Sequence, residues 1–148
     1  MTSFFPDLNV WLALSVAGHR HNGEAWTWLG LLPERSRLAF SWYTQLGLLR
    51  LLTNPAVMEE HTLTLGKAWG VYDRWLKDPR VVFYPEPRNL EKAFREVTAP
   101  FAGKAASKWV GDCYLLAWAV QSDAALVTFD RGLYELARKR PWTAVIPG

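Results

Sequence analysis

Three aspartates stand at positions from which carboxylates could act together. Asp7 directly follows the apolar stretch "SFFP", and Asp130 directly follows "ALVTF". Asp112 lies near the start of "KWVGDCYLLAWAV", where Leu115, Leu116 and Ala119 recur on nearly the same side of a helix. Carboxylates held close together repel one another unless a proton or a cation compensates them. A hard divalent cation such as Mg²⁺ takes oxygen ligands, often only one or two of them carboxylates, with water completing the set. The plain alternative is local: an aspartate before a helix accepts hydrogen bonds from the free amides of its first turn, so Asp7 and Asp130 each read singly as helix caps. Convergence of all three is what would turn caps into a site.

Other chemistries find less support. The phosphate-loop and dinucleotide fingerprints are both absent. Cys113 is the one cysteine, which excludes an internal disulfide and a cysteine-rich zinc site; beside Asp112 it is expected to point into the core. No serine or cysteine has a convincing base. His19 and His21 in "GHRHNGEAW" resemble a metal pair by type, yet they fall in a turn with no third ligand at suitable spacing, and His61 reads as surface near a helix start. The nine tryptophans run from Trp11 to Trp142 and are read as core or interface packing rather than as base-stacking platforms.

The elements that must position the aspartates alternate in type. Short runs rich in β-formers occupy 3–5, 37–40, 80–84, 125–129 and 143–147. Helical patterns occupy 9–16, 23–32, 42–52, 63–77, 89–98, 108–120 and 133–139. This alternation predicts an α/β fold, a mostly parallel sheet of about five strands flanked by helices on both sides. In such sheets chemistry collects at the carboxyl ends of the strands, where Asp7 and Asp130 would lie. The 148 residues, half of them hydrophobic, fit a single domain, residues 1–148. A net charge of +3 permits a polyanionic partner without requiring one. No secretory signal pattern and no apolar run of membrane-spanning length occurs, so a soluble cytoplasmic protein with no membrane partner is expected.

Four segments in order, "FPDLNVWLAL", "TQLGLLRLLTNP", "DCYLLAWA" and "LVTFDRG", with "DPRVVFYPEP" between the second and third, resemble the PIN-domain ribonucleases, and specifically the VapC toxins of bacterial toxin–antitoxin pairs. The similarity runs across essentially the whole chain. It implies a PIN-like fold and a metal-dependent endoribonuclease that hydrolyses RNA at an acidic site holding Mg²⁺ or Mn²⁺. A VapB-like antitoxin and a homodimer are implied as partners. Asp7, Asp112 and Asp130 match the family's acids and would be both catalytic and metal-ligating; Asn9 and Thr128 match supporting polar positions. Gln45 occupies the place assigned to the family's remaining acid, a glutamate, and is expected to face the acidic pocket. That departure leaves a catalytically weak RNA- or protein-binding module as the alternative, and the same metal chemistry would also suit DNA. Arg131, beside Asp130, and Lys108, one turn before Asp112, are the cations best placed to meet RNA phosphates, ahead of Lys104 and Arg50. Surplus apolar residues on 23–32 and 42–52, including Trp26, Trp28, Leu29 and Leu48, suit either a larger core or a groove for an antitoxin helix.

Overall fold

The computed structural model describes residues 2–139 and 143–147. Five parallel strands, β1 (Ser3–Pro6), β2 (Arg37–Phe40), β3 (Val81–Phe83), β4 (Ala125–Val127) and β5 (Ala144–Val145), pair in the order β3-β2-β1-β4-β5. Connecting them are helices α1 (Leu8–Ser15), α2 (Asn22–Gly30), α3 (Trp42–Leu52), α4 (Pro55–Met58), α5 (Leu65–Leu76), α6 (Leu90–Thr98), α7 (Ser107–Gln121) and α8 (Arg131–Arg138). The chain leaves β1 toward β2 on one side and later returns to pair β4 on the other. The crevice between β1 and β4 is therefore a topological switch point, the usual position of a site in an open parallel sheet.

Residue alternation sends the strands' side chains to two cores. Leu38 and Phe40 of β2 and Val127 of β4 pack with α1, α2, α3 and α5. Ala39 and Leu126, one residue out of phase, join Phe5 and the helices α6, α7 and α8 on the opposite face. A stacked aromatic pair anchors each side: Trp11 on Phe40, with centroids 3.9 Å apart, and Phe5 on Trp118, also at 3.9 Å. Burial on both faces is why these strands read as continuous apolar runs rather than as alternating ones.

Several boundaries differ from expectation, and three of the differences have a local reason. The strand expected over 125–129 ends at Val127, although the Thr128 amide still donates to the Val145 carbonyl at 2.9 Å. Its hydroxyl has turned to other partners, described below. The last helix begins at Arg131 rather than at 133, because Asp130 caps it directly. Helix α4, not expected at all, is started by the Asn54 side chain, which accepts from the Ala56 amide, with Pro55 at the first helical position. The strands expected over 80–84 and 143–147 shrink to 81–83 and 144–145.

Tryptophan placement is mixed. Trp11, Trp28 and Trp118 are buried, whereas Trp26, Trp42 and Trp69 are exposed; Trp142 lies outside the described residues. Of the surplus apolar residues on α2 and α3, Trp28, Leu29 and Leu48 are core, and Trp26 lies outside it, stacked on Trp75 with its indole N–H donating to the Leu14 carbonyl. Among the described residues no helix is long and apolar enough to cross a membrane.

Candidate active site at the carboxyl edge of the sheet

Asp7 leaves the central strand β1 and enters α1. Its backbone amide donates to the Val127 carbonyl at 2.9 Å, which ties it to β4, and its Oδ1 accepts from the Val10 amide at 3.0 Å. The second carboxylate oxygen, Oδ2, accepts a short hydrogen bond from the Thr128 hydroxyl. That hydroxyl in turn accepts from the Asp130 amide at 2.9 Å, and Asp130 Oδ1 accepts from the Leu133 amide at 3.1 Å. Capping and site formation are thus the same arrangement: each aspartate fixes its own helix, and Thr128, fully buried, links one to the other.

Electrostatics brings Asp112 into the group. The Asp7 carboxyl is pushed up to about 6 by burial, which outweighs the opposing hydrogen bonds from Thr128 and Val10; the charges of Asp112 and Asp130 add smaller upward contributions. The Asp112 carboxyl also rises to about 6, first through burial and then through the charge on Asp130. No ion pair among the described residues reaches any of the three. The described residues therefore assemble negative charge here and pair no cation with it, while the oxygen donors are of the type that Mg²⁺ and Mn²⁺ favour. Among the described residues no three of the Asp, Glu, His and Cys side chains stand together as a group that could hold a metal ion by themselves, so water or substrate oxygens would have to complete any ligand set here. The donor set fits a hard cation that keeps much of its water, not a structural site such as zinc would occupy.

Gln45 is placed differently from expectation. It is half-buried, and among the described residues its side chain makes no hydrogen bond to Asp7 or Asp112. The residue of α3 that senses Asp112 is Tyr43: burial raises its phenol, and the Asp112 charge raises it further against the opposing effect of Arg50. A Cβ on Gly111 would stand 2.7 Å from the Tyr43 hydroxyl, so that hydroxyl lies directly over the backbone next to Asp112. Two residues along a helix turn the side chain by about 200°, so with Tyr43 on this side Gln45 is turned away. Gly47 shares the side of Tyr43, where a Cβ would meet Leu8, the neighbour of Asp7. Tyr43 was missed in the sequence; the signal available was Gly111, a mid-helix glycine beside an acid.

The remaining candidates lie around the rim. Asn9 is exposed and lines a cleft beside Asp130 with no hydrogen bond to the acids among the described residues. Arg131 is exposed, and Lys108 is exposed with its ammonium over the Trp109 ring at 5.7 Å. Lys104 is exposed near Trp109 and Val110, and Arg50 lies beside Tyr43 and Gly47. Cys113 is in the core, as expected.

Residues 4–139 match the PIN domain family. The chain is 38% identical over 128 residues to a Mycobacterium tuberculosis protein named Ribonuclease VapC41, covering 84% of this chain and 86% of that one. This chain belongs to the VapC branch of the PIN-domain family. Solved structures share the fold at lower identity. A VapBC2 structure from Rickettsia felis, bound to a promoter DNA fragment, superposes with a TM-score of 0.71 at 13% identity, covering 99% of this chain and 100% of that one. Mycobacterium tuberculosis VapC20, described as a sarcin–ricin loop cleaving toxin, gives 0.66 at 18% identity over 89% and 93% of the two chains. In this PIN domain the three aspartates lie at the carboxyl ends of β1 and β4 and near the start of α7.

Proposed function

We propose that this protein is the toxin of a type II toxin–antitoxin pair, an endoribonuclease that hydrolyses RNA phosphodiester bonds in the cytoplasm and is restrained by a VapB-like antitoxin. The observation that carries the proposal is the set of three electrostatically coupled aspartates at the switch point, with no ion pair to any of them among the described residues. The 38% identity to a protein named as a ribonuclease supports the reaction, and the VapBC structural neighbours support the antitoxin.

Asp7, Asp112 and Asp130 would hold Mg²⁺ or Mn²⁺. Such a cation acidifies nearby water and offsets charge on the phosphate. The chain's own part is positional. The Thr128 hydroxyl and the Val10 amide hold both oxygens of the Asp7 carboxylate, and the Leu133 amide holds one oxygen of the exposed Asp130. Tyr43, held protonated at neutral pH, offers an O–H beside Asp112. Arg131 and Lys108 would meet the flanking phosphates. One observation favours a non-cutting binding module instead: α3 turns Tyr43 and Gly47, and no carboxylate, toward the site.

Purified protein free of antitoxin should cleave cellular RNA in Mg²⁺ or Mn²⁺, and lose that activity in chelator and as Asp112→Asn. Cutting that persists in chelator would refute the metal-dependent site, and RNA binding without cutting in either metal would favour the module. We also propose a homodimer, to be checked by sedimentation of the isolated protein.

A further inference from the structure

The turn between α1 and α2 places an arginine and two histidines against the Asp130 side of the site. His19, Arg20, His21, Asn9, Phe129 and Asp130 line a cleft of about 280 Å³. Three hydrogen bonds fix the turn that carries them: the His19 amide to the Val16 carbonyl at 3.0 Å, the Asn22 amide to the His19 carbonyl at 2.9 Å, and the Asn22 side chain to the Ala13 carbonyl at 2.8 Å. The His21 ring stacks on Phe129 with centroids 4.5 Å apart, which fastens the turn to the residue just before Asp130.

The hydrogen bonds also assign the protons. Arginine only donates, so the 3.1 Å contact from Arg20 Nε makes His21 Nε2 an acceptor. His21 Nδ1 therefore carries the proton and donates to Glu24 at 3.2 Å. The Glu24 carboxylate is engaged by His21 and makes no ion pair with Arg20. Similarly, His19 Nδ1 accepts from the His21 amide at 3.0 Å, which leaves Nε2 as the protonated nitrogen. Burial, then His21 and Arg20, holds the His19 imidazole below its ordinary pKa, so at neutral pH it is a neutral N–H donor. Among the described residues the two Nη groups of Arg20 have no protein partner, and no ion pair joins Arg20 to Asp130. An exposed guanidinium held at Nε by His21 with its fork free, an imidazole N–H and the Asn9 side chain share one cleft with a carboxylate of the proposed nuclease site. A guanidinium fork matches phosphate geometry, and a fixed turn spares the ordering cost of binding.

We propose that Arg20 and His19 hold a backbone phosphate of the RNA substrate beside Asp130, with His21 as the positioning residue for the guanidinium. This subsite rests on the endoribonuclease reading and adds to it the side from which the strand enters.

The test is fluorescence anisotropy with a labelled single-stranded RNA, titrated against salt in Mg²⁺ on an Asp112→Asn background that cannot cut. Arg20→Ala should weaken binding roughly tenfold. It should also reduce the slope of log affinity against log salt by about 0.7, the value of one phosphate contact to a single strand. Arg20→Lys should keep the slope while losing part of the affinity, because an ammonium cannot reproduce the fork. His21→Phe, which keeps a ring for Phe129 and removes the acceptor, should lower affinity with the slope retained. An unchanged slope and affinity in Arg20→Ala, with the parent protein binding RNA and the unsubstituted chain cutting it, would overturn the subsite alone. If the unsubstituted chain neither binds nor cuts RNA, the endoribonuclease reading and the subsite both fall.

Discussion

Replacing Asp7 by Asn should stabilise the metal-free protein near neutral pH and destabilise it in acid. Asp7 is 4% exposed, and burial raises its carboxyl from the ordinary 3.8 to about 6. A pKa raised on folding means that the folded state prefers the protonated acid. The associated stability is fully present below pH 3.8 and is lost as pH rises through about 6. At 1.36 kcal/mol per unit, holding Asp7 ionised in the fold at pH 7.5 costs about 3 kcal/mol. Asparagine removes that cost and keeps the cap, since its carbonyl can still accept from the Val10 amide. It loses the acceptor for the Thr128 hydroxyl, which costs about 1 kcal/mol. The expected net gain at pH 7.5 is about 2 kcal/mol, or a Tm higher by about 4–8 °C for a chain of this size. Below about pH 4 only the lost hydrogen bond remains, and the variant should be the less stable by about 1 kcal/mol. Denaturant unfolding in chelator at a series of pH values would reveal the crossing. A variant less stable than the parent by the same amount at every pH would refute the reasoning, because Asp7 would then be acting as a cap and nothing more.

Thr128→Val removes the hydroxyl between Asp7 and the Asp130 amide and should cost about 1–3 kcal/mol. Because the Thr128 hydrogen bond lowers the Asp7 pKa, its loss should also move the acid limb of the cleavage pH profile upward. Mn²⁺ at a hundred times its Kd should stabilise the protein by about 2.7 kcal/mol at pH 7.5 and by clearly less at pH 5, where Asp7 and Asp112 are largely protonated; calorimetry at the two pH values checks this. Gln45→Glu should leave the Mn²⁺ titration midpoint and the cleavage rate within about twofold of the parent, since a single exposed-to-half-buried charge turned away from the site is worth little. A strong tightening would mean that residue 45 reaches the acids after all.

The strands and the ends at which they deliver Asp7 and Asp130 were legible because a parallel sheet covered on both faces writes itself as short apolar runs. The acids follow those runs directly, so no three-dimensional reasoning was needed to put them on one edge. Arg20 and His19 were not legible as site residues, since nothing local ties the α1–α2 turn to Phe129. That contact depends on the packing of α2 over the sheet, and joins residues more than a hundred positions apart. The two histidines do not form a zinc pair: both His21 ring nitrogens are committed, to Arg20 and Glu24, and His19 Nδ1 accepts from the His21 amide, which leaves only the His19 Nε2–H uncommitted among the described residues.

The phase of α3 was the harder problem. "WYTQLGLLRLL" is apolar on most sides: Leu48, Leu49 and Leu52 are buried, while Trp42 and Leu46 are exposed. A stripe that wide does not say which residue faces inward, and the resemblance alone places Gln45 at the position of the family's glutamate. Glycine carries the better information. In a helix interior it costs about 1 kcal/mol relative to alanine; Gly66 and Gly70 of α5 have open space around them, but Gly47 and Gly111 are positions where another group comes close. Gly47 receives Leu8, and Gly111 receives the Tyr43 hydroxyl. Both contacts join the helix to residues next to Asp7 and Asp112, so the two glycines fix the rotation of α3 and α7 about the site. Tyr43 and Gly47 then face it together, and α3, which contains no carboxylate, adds none to the three aspartates. Two of those titrate near 6, and a fourth carboxylate on this side of α3 would raise them further before any cation arrived. A neutral phenol beside Asp112 supplies a polar group at that position without adding to the repulsion.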